Sequence, residues 1–229
     1  MTKLINLHNI FQPILQVDDR LHASITGYEM LMRDVSGAFP GPQFLHSLTT
    51  QEGNERWIEL SQEALDHVLA GHPDRKIYIN LEPCQMEFNN VWKFLDTTYQ
   101  QYHNQVAVEI TERRETLHSL DYLDDEIRHL KELGFELTID DVCAGGNSYA
   151  FIVRQLDVIQ RIKISLLLFR NEDFEVRHDF VKAWLAFAAH HQLDFVVEGI
   201  ADRKLAQAFA GSPTVLQQGF YWGKGSANI

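Results

Sequence analysis

Polar side chains able to bind a cation or to move a proton stand inside or at the end of nearly every apolar run of the sequence. Carboxylate and amide oxygens dominate the set, and such hard donors suit Mg²⁺ or Mn²⁺ better than zinc. The residues are spread through the whole chain, so they act together only if the fold gathers them. They are Glu29, Asn80, Glu109, Asp140, Asp141, Lys163, Glu198 and Gln218.

A cluster of four carboxylates and one amide among these residues would need cations to be stable. The carboxylates of Glu29, Glu109 and the pair Asp140-Asp141 would repel one another strongly at close range. Two divalent cations roughly 3.5–4 Å apart relieve such repulsion, activate water and hold a phosphodiester for in-line attack. The residue types therefore favour metal-assisted phosphoester hydrolysis.

Each of these residues, taken singly, also has a simpler explanation. An isolated Asp or Glu at the end of a strand is commonly a helix N-cap or a solvated turn residue. Lys163 lies inside the apolar run Ile162-Lys163-Ile164, where an ammonium group needs a carboxylate or water partner. A structural salt bridge would satisfy it equally well. Only the elements that position the residues can decide between these interpretations.

Those elements alternate along the chain, with short β-type runs separated by segments of helical periodicity. Alternation of this kind favours a (β/α)8 barrel, in which the carboxyl ends of the strands converge on one mouth. A doubly wound open sheet would alternate in the same way. The predicted strands are Phe11 to Val17, Ile25 to Met32, Lys76 to Leu81, Gln105 to Ile110, Glu136 to Ile139, Arg161 to Ile164, Asp194 to Val197 and Thr214 to Phe220. The predicted helices are Glu55 to Leu69, Val91 to Tyr102, Leu117 to Leu133, Tyr149 to Leu156, Asp179 to His191 and Arg203 to Phe209.

Composition narrows the class of protein. A net charge of −12 argues against binding to DNA or to an anionic membrane surface. The 229 residues, 45% of them hydrophobic and with no Ser/Gly/Pro-rich linker, predict a single domain over 1–229. Cys84 and Cys143 form no Cys-x-x-Cys pair, so neither a disulfide framework nor a zinc site is indicated. Because no signal peptide or membrane-spanning stretch is visible, we expect a cytoplasmic protein.

In their order along the chain, these motifs resemble the EAL-domain family, cyclic di-GMP phosphodiesterases with a TIM-like barrel. The resemblance covers essentially the whole chain, and its strength is that eight elements occur in register. They are Phe11-Gln12-Pro13-Ile14, Glu29-Met30-Leu31 followed by Arg33, Asn80-Leu81, Glu109-Ile110-Thr111-Glu112, Asp140-Asp141, Lys163-Ile164, Glu198-Gly199-Ile200 and Gln218-Gly219-Phe220.

The resemblance implies a fold, a reaction and a set of metal ligands. The fold is a TIM-like (β/α)8 barrel whose first strand runs antiparallel to the others. The reaction is hydrolysis of the bacterial second messenger cyclic di-GMP to linear pGpG by attack of water on one phosphodiester bond, with two Mg²⁺ or Mn²⁺ ions. The implied metal ligands are Glu29, Asn80, Glu109, Asp140 and Asp141.

The resemblance also implies roles for residues around the metals. Lys163 would contact and orient the metal-activated water, and Glu198 would support the second metal or its water. Gln218 would support the site and the nucleotide, Arg33 would pair with a substrate phosphate, and Gln12 would touch the substrate. Glu112 would anchor the loop after Asp141.

The sequence departs from the family pattern mainly after the aspartate pair. The family usually reads Asp-Asp-Phe-Gly-Thr-Gly-Tyr-Ser-Ser, where this chain has Asp140 to Ser148 as DDVCAGGNS. The two glycines indicate flexibility, and loose placement of metal ligands would reduce turnover. Ser165 replaces the Asp of Lys-Ile-Asp, Ala201 the second Glu of Glu-Gly-Val-Glu, and Met30 the Ala of the name motif. These changes bear on activity rather than on fold.

Three functions follow from this comparison. The leading one is a stand-alone, metal-dependent cyclic di-GMP phosphodiesterase that acts in bacterial signalling of biofilm formation and motility. The second is a catalytically weak or inactive EAL-like protein that serves as a cyclic di-GMP receptor or regulates a protein partner. The third is an unrelated Mg²⁺-dependent barrel with another substrate. For the first two we expect a homodimer.

Overall fold

The computed structural model describes residues 7–72, 74–113 and 119–229. Within these residues eight strands close into a barrel in which every strand pairs with its neighbours in sequence and β1 pairs with β8. The closure excludes the open sheet and confirms the predicted barrel. The strands are β1 (His8–Val17), β2 (Ala23–Arg33), β3 (Ile77–Leu81), β4 (Val106–Ile110), β5 (Leu137–Ile139), β6 (Arg161–Ser165), β7 (Asp194–Glu198) and β8 (Val215–Gln217).

The first strand runs against the rest of the barrel, as predicted. β1 is antiparallel to β2 and to β8, whereas all pairs from β2 to β8 are parallel. The register of β1 against β2 shifts between Ile14 and Leu15, which marks a β-bulge. Bulges bend a strand and increase its twist, and such bending helps a sheet to close.

Helices connect the parallel strands and pack on the outside of the barrel. Most of them begin at a side chain that caps the first turn: Ser148, Asp173 and Asp202 each accept a hydrogen bond from the backbone N–H three residues ahead. The fourth helix ends at Gly134, whose φ of 107° is the left-handed conformation expected there. The helices are α1 (Pro42–Ser47), α2 (Gln51–Gly71), α3 (Asn89–Tyr102), α4 (Leu120–Leu133), α5 (Tyr149–Gln155), α6 (Phe174–His191) and α7 (Arg203–Ala208).

Several helices differ from the sequence prediction, most of them at their first residue: α2 and α6 begin at Gln51 and Phe174, before the predicted Glu55 and Asp179. α1 was not predicted, because six residues are too few to show a helical period. The predicted helix from Leu117 begins in residues outside the described part of the chain, and α4 itself begins at Leu120. In the described ranges, every helix is too short or too polar to cross a lipid bilayer.

The interior of the barrel is filled by side chains that alternate along each strand. Ile14, Tyr78, Ala107, Val196 and Leu216 form an apolar cluster separate from the main core, which lies between the strands and the helices. Because strand side chains alternate with period two, the next inward positions lie one layer higher, toward the carboxyl ends of the parallel strands. The apolar layer therefore forms the floor of the polar mouth.

Candidate active site

The polar residues of the mouth occupy the inward positions one layer above this floor. Glu29, Asn80 and Glu109 follow the floor layer by two residues on β2, β3 and β4, and Lys163 takes the same position on β6. Glu198 ends β7, and Asp140 and Gln218 come directly after β5 and β8. Strand alternation alone thus gathers residues that are far apart in sequence, which is the convergence predicted for a barrel.

Lys163 is the centre of this cluster. Its ammonium group is fully buried and lies 2.6 Å from Glu109 Oε2 and 3.0 Å from Glu29 Oε2. It also lies 2.6 Å from Glu198 Oε1 and 3.3 Å from Asp140 Oδ1. Burial lowers the pKa of Lys163, but the four carboxylates together outweigh burial and raise that pKa well above its ordinary value. The single ammonium group of Lys163 therefore forms ion pairs with four carboxylates.

The pKa values of the carboxylates show that one ammonium group does not neutralise the cluster. Burial raises the pKa of Glu109 to about 8, although Lys163 opposes the shift. Burial and the neighbouring Asp140 raise the pKa of Asp141 to about 7. Burial also raises the pKa of Glu198 well above its ordinary value. For Glu29, burial is outweighed by Lys163 and by hydrogen bonds, so its pKa is lowered. Lys163 alone consequently cannot stabilise all of these carboxylates in their charged form.

The carboxylates fit a pair of divalent cations. Glu29, Glu109 and Asp140 place one oxygen each within 4.8 Å of the others, and so do Asp140, Asp141 and Glu198. Asp140 belongs to both groups and is thus suited to bridge two ions. Among the described residues, Glu109 Oε1 and Asp141 Oδ1 are buried without a hydrogen-bond donor. Buried oxygens without a donor, together with all-oxygen ligands, are the chemistry that Mg²⁺ or Mn²⁺ satisfies.

Glutamine and asparagine side chains hold Glu29 from the sides. Asn80 Nδ2 donates to Glu29 Oε1 at 2.7 Å, and Gln218 Nε2 donates to Glu29 Oε2 at 2.6 Å. Gln218 Nε2 also lies 3.1 Å from Gln12 Oε1, while Gln12 Nε2 donates to the carbonyl of Gly223 at 2.9 Å. Gln12 and Gln218 are therefore neighbours at the wall of the mouth, although 206 positions separate them.

A cleft runs across the mouth beside the carboxylates. One cavity of about 180 Å³ lies on the side of β3 and β4, and another of about 580 Å³ lies on the side of β7 and β8. Both are lined by Glu29, Arg33, Phe39 and Asp141. Arg33 is half-buried and donates to the carbonyl of Met32 at 2.9 Å. The larger cavity has the volume of an ordinary small-molecule site, and it is the cavity lined by Gln12, Gln218 and Phe220.

The loop after Asp141 is fixed by backbone contacts, despite its two glycines. Gly146 N–H donates to the carbonyl of Glu112 at 2.7 Å. Gly145 has a φ of 46°, and a Cβ at this position would lie 2.4 Å from the same carbonyl. Asn147 Nδ2 donates to the carbonyls of Asp140 and Ile110. Glu112 thus contacts the loop through its main chain, a role that a sequence motif does not reveal.

Sequence reasoning did not single out three residues that line the smaller cavity: Phe39, Glu82 and Arg113. Glu82 follows β3 by one residue, so the rule that selected strand-end carboxylates would also have found it. Arg113 directly follows the Glu109 to Glu112 element. Phe39 lies in the connection between β2 and α1, where no sequence pattern marks it.

Fold and site together define a TIM-like barrel whose mouth carries a carboxylate cluster suited to divalent cations. The model of the EAL domain family matches residues 3–225. The chain belongs to the EAL domain family. No curated protein matches the chain by sequence.

Solved structures of EAL proteins share the fold at low sequence identity. The phosphodiesterase PaMucR, in complex with c-di-GMP, is 20% identical with a TM-score of 0.70, and the match covers 95% of this chain and 91% of PaMucR. A standalone versatile EAL protein from Vibrio cholerae O395, bound to c-di-GMP, is 21% identical with a TM-score of 0.69, covering 99% and 95% of the two chains. BlrP1 from Klebsiella pneumoniae, in a manganese and c-di-GMP complex, is 22% identical with a TM-score of 0.68, covering 96% of this chain but 56% of BlrP1.

Proposed function

We propose that this chain hydrolyses cyclic di-GMP to linear pGpG with the help of two divalent cations, Mg²⁺ or Mn²⁺. The observation that carries the proposal is that the mouth holds two clusters of three carboxylate side chains each, with Asp140 common to both clusters. Membership of the EAL family supports the substrate class, as do similar structures that hold c-di-GMP, one of them with manganese. Bound cations would polarise a phosphoryl oxygen and lower the pKa of a coordinated water.

We assign the cation ligands from the geometry of the mouth. Glu29, Glu109 and Asp140 would hold one ion, and Asp140, Asp141 and Glu198 the other. Asn80 already touches Glu29 through its amide, so its side chain is placed to complete the first site. Assigning Glu198 as a direct ligand goes one step beyond the supporting role that the family resemblance implies for it.

The remaining residues of the mouth would bind and orient the substrate. Arg33 lines both cavities, and its guanidinium group is suited to pair with a phosphate as a charge-assisted donor. Lys163 would hold the attacking water against the carboxylates, because its ammonium group already lies among them. Gln12 and Gln218 would fix the nucleotide on the side of β1 and β8. The 580 Å³ cavity offers room for one nucleotide half of an elongated dinucleotide.

The test is the conversion of cyclic di-GMP by the purified protein with Mg²⁺ or Mn²⁺, with pGpG detected by chromatography. We expect metal-dependent pGpG that disappears when the cation is chelated and in Glu29→Ala. Glu136→Gln, which changes a carboxylate at the opposite end of the barrel, is the control and should keep its activity. Absence of pGpG at protein concentrations equal to the substrate would contradict the proposal.

A second candidate function is that of a cyclic di-GMP receptor with little or no turnover. The loop after Asp141 supports it, since Asp141, which immediately precedes the segment that departs from the family, and Cys143 within that segment adopt positive φ values of 44° and 76°. Non-glycine residues rarely adopt such conformations, and a small error in the position of Asp141 would cost catalysis more than binding. Saturable binding of cyclic di-GMP without pGpG would establish this function instead.

We further propose that the chain acts in the cytoplasm, where its messenger substrate is found, and that it does so as a homodimer. Tyr149 and Val153 lie one helical turn apart on α5 and are 62% and 41% exposed. The ring of Tyr149 lies 5.6 Å from that of Phe187 on α6, so the two helices share an apolar face. Sedimentation should show a dimer that Tyr149→Glu dissociates and that Val35→Glu, at an exposed position in another part of the fold, leaves intact. A monomeric wild type would contradict the proposal.

A further inference from the structure

Glu82 is a buried carboxylate beside the candidate metal ligands, although it is not one of them. It directly follows Asn80-Leu81 at the end of β3, and it is only 8% exposed. Thr111 Oγ1 donates to Glu82 Oε2 at 2.6 Å, and Arg113 Nη1 donates to Glu82 Oε1 at 2.6 Å. Both oxygens of Glu82 thus hold the segment that follows β4.

Glu82 is itself held from the outside of the barrel. Its backbone N–H donates to Gln85 Oε1 at 3.0 Å, and Gln85 Nε2 donates to Asn54 Oδ1 at 2.8 Å. Asn54 Nδ2 in turn donates to the carbonyls of Leu48 and Thr50, at the turn between α1 and α2. Gln85 and Asn54 are fully buried. Buried and satisfied polar networks of this kind are rigid, so Glu82 offers a fixed support.

The segment that Glu82 holds is also the one that holds the loop after Asp141. Thr111 and Arg113 flank Glu112, whose carbonyl accepts the N–H of Gly146. Gly145 lies so close to the Glu112 carbonyl that a Cβ on residue 145 would clash with it. Any displacement of residues 111–113 would therefore shift the loop that begins with Asp141. The side chain of Arg113 adds a contact 3.7 Å from Glu112 Oε1.

We propose that Glu82 is a positioning residue for the cation site: it clamps Thr111 and Arg113, so that Glu112 keeps the loop after Asp141 in place. The loop that departs from the family pattern rests on the segment that Glu82 fixes. The carboxylate of Glu82 thereby compensates for a loop that is less well specified by its own sequence. The inference rests on the proposed cation site, which the Asp140-Asp141 pair would complete.

The test compares Glu82→Gln with Glu136→Gln, using the dissociation constant of Mn²⁺ measured by electron paramagnetic resonance. Glu136 is a matched control because it also holds a cation, Lys76 at 3.1 Å, but at the opposite end of the barrel. Mutations of residues that support metal ligands from outside commonly change the affinity for the metal by about tenfold or more. Glu82→Gln should therefore weaken Mn²⁺ binding about tenfold. Glu136→Gln should bind Mn²⁺ like the wild type.

A second variant separates positioning from general damage to the fold. Arg113→Met should weaken Mn²⁺ binding to a similar extent, and the double variant Glu82→Gln/Arg113→Met should lose little more than either single one, because both act through one clamp. In turnover of cyclic di-GMP, raised Mn²⁺ should restore most of the lost kcat in Glu82→Gln with KM nearly unchanged. Thermal unfolding shows whether each variant is folded, and Arg113→Met carries the test if Glu82→Gln is not.

Unchanged Mn²⁺ affinity in folded Glu82→Gln, or fully additive losses in the double variant, would overturn the inference. The Mn²⁺ measurement is independent of catalysis. A wild type that binds Mn²⁺ but forms no pGpG would sink the proposed hydrolysis and leave this comparison valid. A wild type that binds no Mn²⁺ would overturn both proposals.

Discussion

At the scale of single residues, the mouth of the barrel is defined by an imbalance of charge. Lys163 is within 3.3 Å of four carboxylates, while Asp141 adds a further acidic group at the edge of the cluster. Acidic groups at such distances stay charged only with more positive charge than one lysine supplies. Protons supply part of it, as the raised pKa values of Glu109 and Asp141 show. Divalent cations would replace those protons.

The protons bound at the mouth predict an unusual dependence of stability on pH in the metal-free protein. In the metal-free protein, Glu109 and Asp141 bind protons more tightly when folded, with pKa values of about 8 and about 7 against ordinary values of 4.5 and 3.8. Their contribution to the free energy of unfolding is complete below the ordinary values and is lost as pH rises through the raised ones. The metal-free protein should therefore lose stability between about pH 4 and about pH 8.

Mg²⁺ should reverse this loss, because it binds the deprotonated carboxylates. Urea unfolding at several pH values, with and without saturating Mg²⁺, measures both effects. We expect the stabilisation by Mg²⁺ to grow as pH rises across the same interval. Stability that rises with pH without metal, or a Mg²⁺ effect independent of pH, would contradict the assignment.

Lys163→Met should lower the free energy of unfolding strongly in the absence of metal, and less strongly when metal is bound. Removing the ammonium group leaves buried carboxylates without their partner, and breaking a buried ion pair typically costs about 3–5 kcal/mol. Mn²⁺ would supply the missing charge, so the loss measured by urea unfolding should shrink when Mn²⁺ is present. Lys76→Met, which removes a partly exposed partner of Glu136, is the control and should show no Mn²⁺ dependence. An equal loss for Lys163→Met in both conditions would argue against a cation site.

At the scale of the elements, strand alternation does most of the positioning. Each mouth residue on β2, β3, β4 and β6 follows a residue of the layer below by two positions. On β2 that lower residue is Gly27, and the ring of Tyr78 fills the space next to it. A small residue on one strand thus accommodates a large one on the next, as in the interior of other closed barrels.

Gly27→Ala should therefore destabilise the barrel. A Cβ at this position would lie 2.8 Å from the ring of Tyr78, which is buried, and 3.1 Å from the carbonyl of Lys76. Overpacking of this kind typically costs about 1–3 kcal/mol. Gly71→Ala, at the end of α2 with nothing within 4 Å of the new Cβ, is the matched control. Thermal unfolding should show a lowered Tm for Gly27→Ala and an unlowered Tm for Gly71→Ala. Equal Tm values would show that the floor is not tightly packed.

The elements also show what the sequence can and cannot predict. All eight predicted strands occur in the described structure, because buried parallel strands give continuous apolar runs with turn residues between them. The alternation left the barrel and the open sheet undecided, since closure depends on the pairing of β1 with β8 and not on any local pattern. The strand-end rule and the family motifs located the residues that the structure brings together at the mouth.

The supporting contacts could not be predicted in this way. The link from Glu112 to Gly146 uses a main-chain carbonyl, which any residue provides. The chain of contacts from Glu82 through Gln85 to Asn54 joins residues whose partners lie up to 31 positions away. Hydrogen bonds of this kind follow from tertiary packing and leave no period in the sequence. The residues that meet at the mouth were thus predictable, whereas the contacts that hold them were not.

At the scale of the whole molecule, the acidic mouth opens on a cleft in which, among the described residues, Arg113 lines only the smaller cavity. Arg33 lines both cavities, and the net charge of the chain is −12. An anionic dinucleotide would be repelled by this protein unless metal ions neutralise the mouth. The charge of the whole molecule and the geometry of the cluster therefore lead to the same proposal, in which the cations both bind the substrate and serve the reaction.

The most direct test of this account is a crystal of the protein grown with Mn²⁺, with anomalous scattering used to locate the metal. We expect two peaks about 3.5–4 Å apart, the spacing typical of two-metal sites. One should lie among Glu29, Glu109 and Asp140, and the other among Asp140, Asp141 and Glu198. A mouth without manganese, in which Lys163 still pairs with all four carboxylates, would contradict the account.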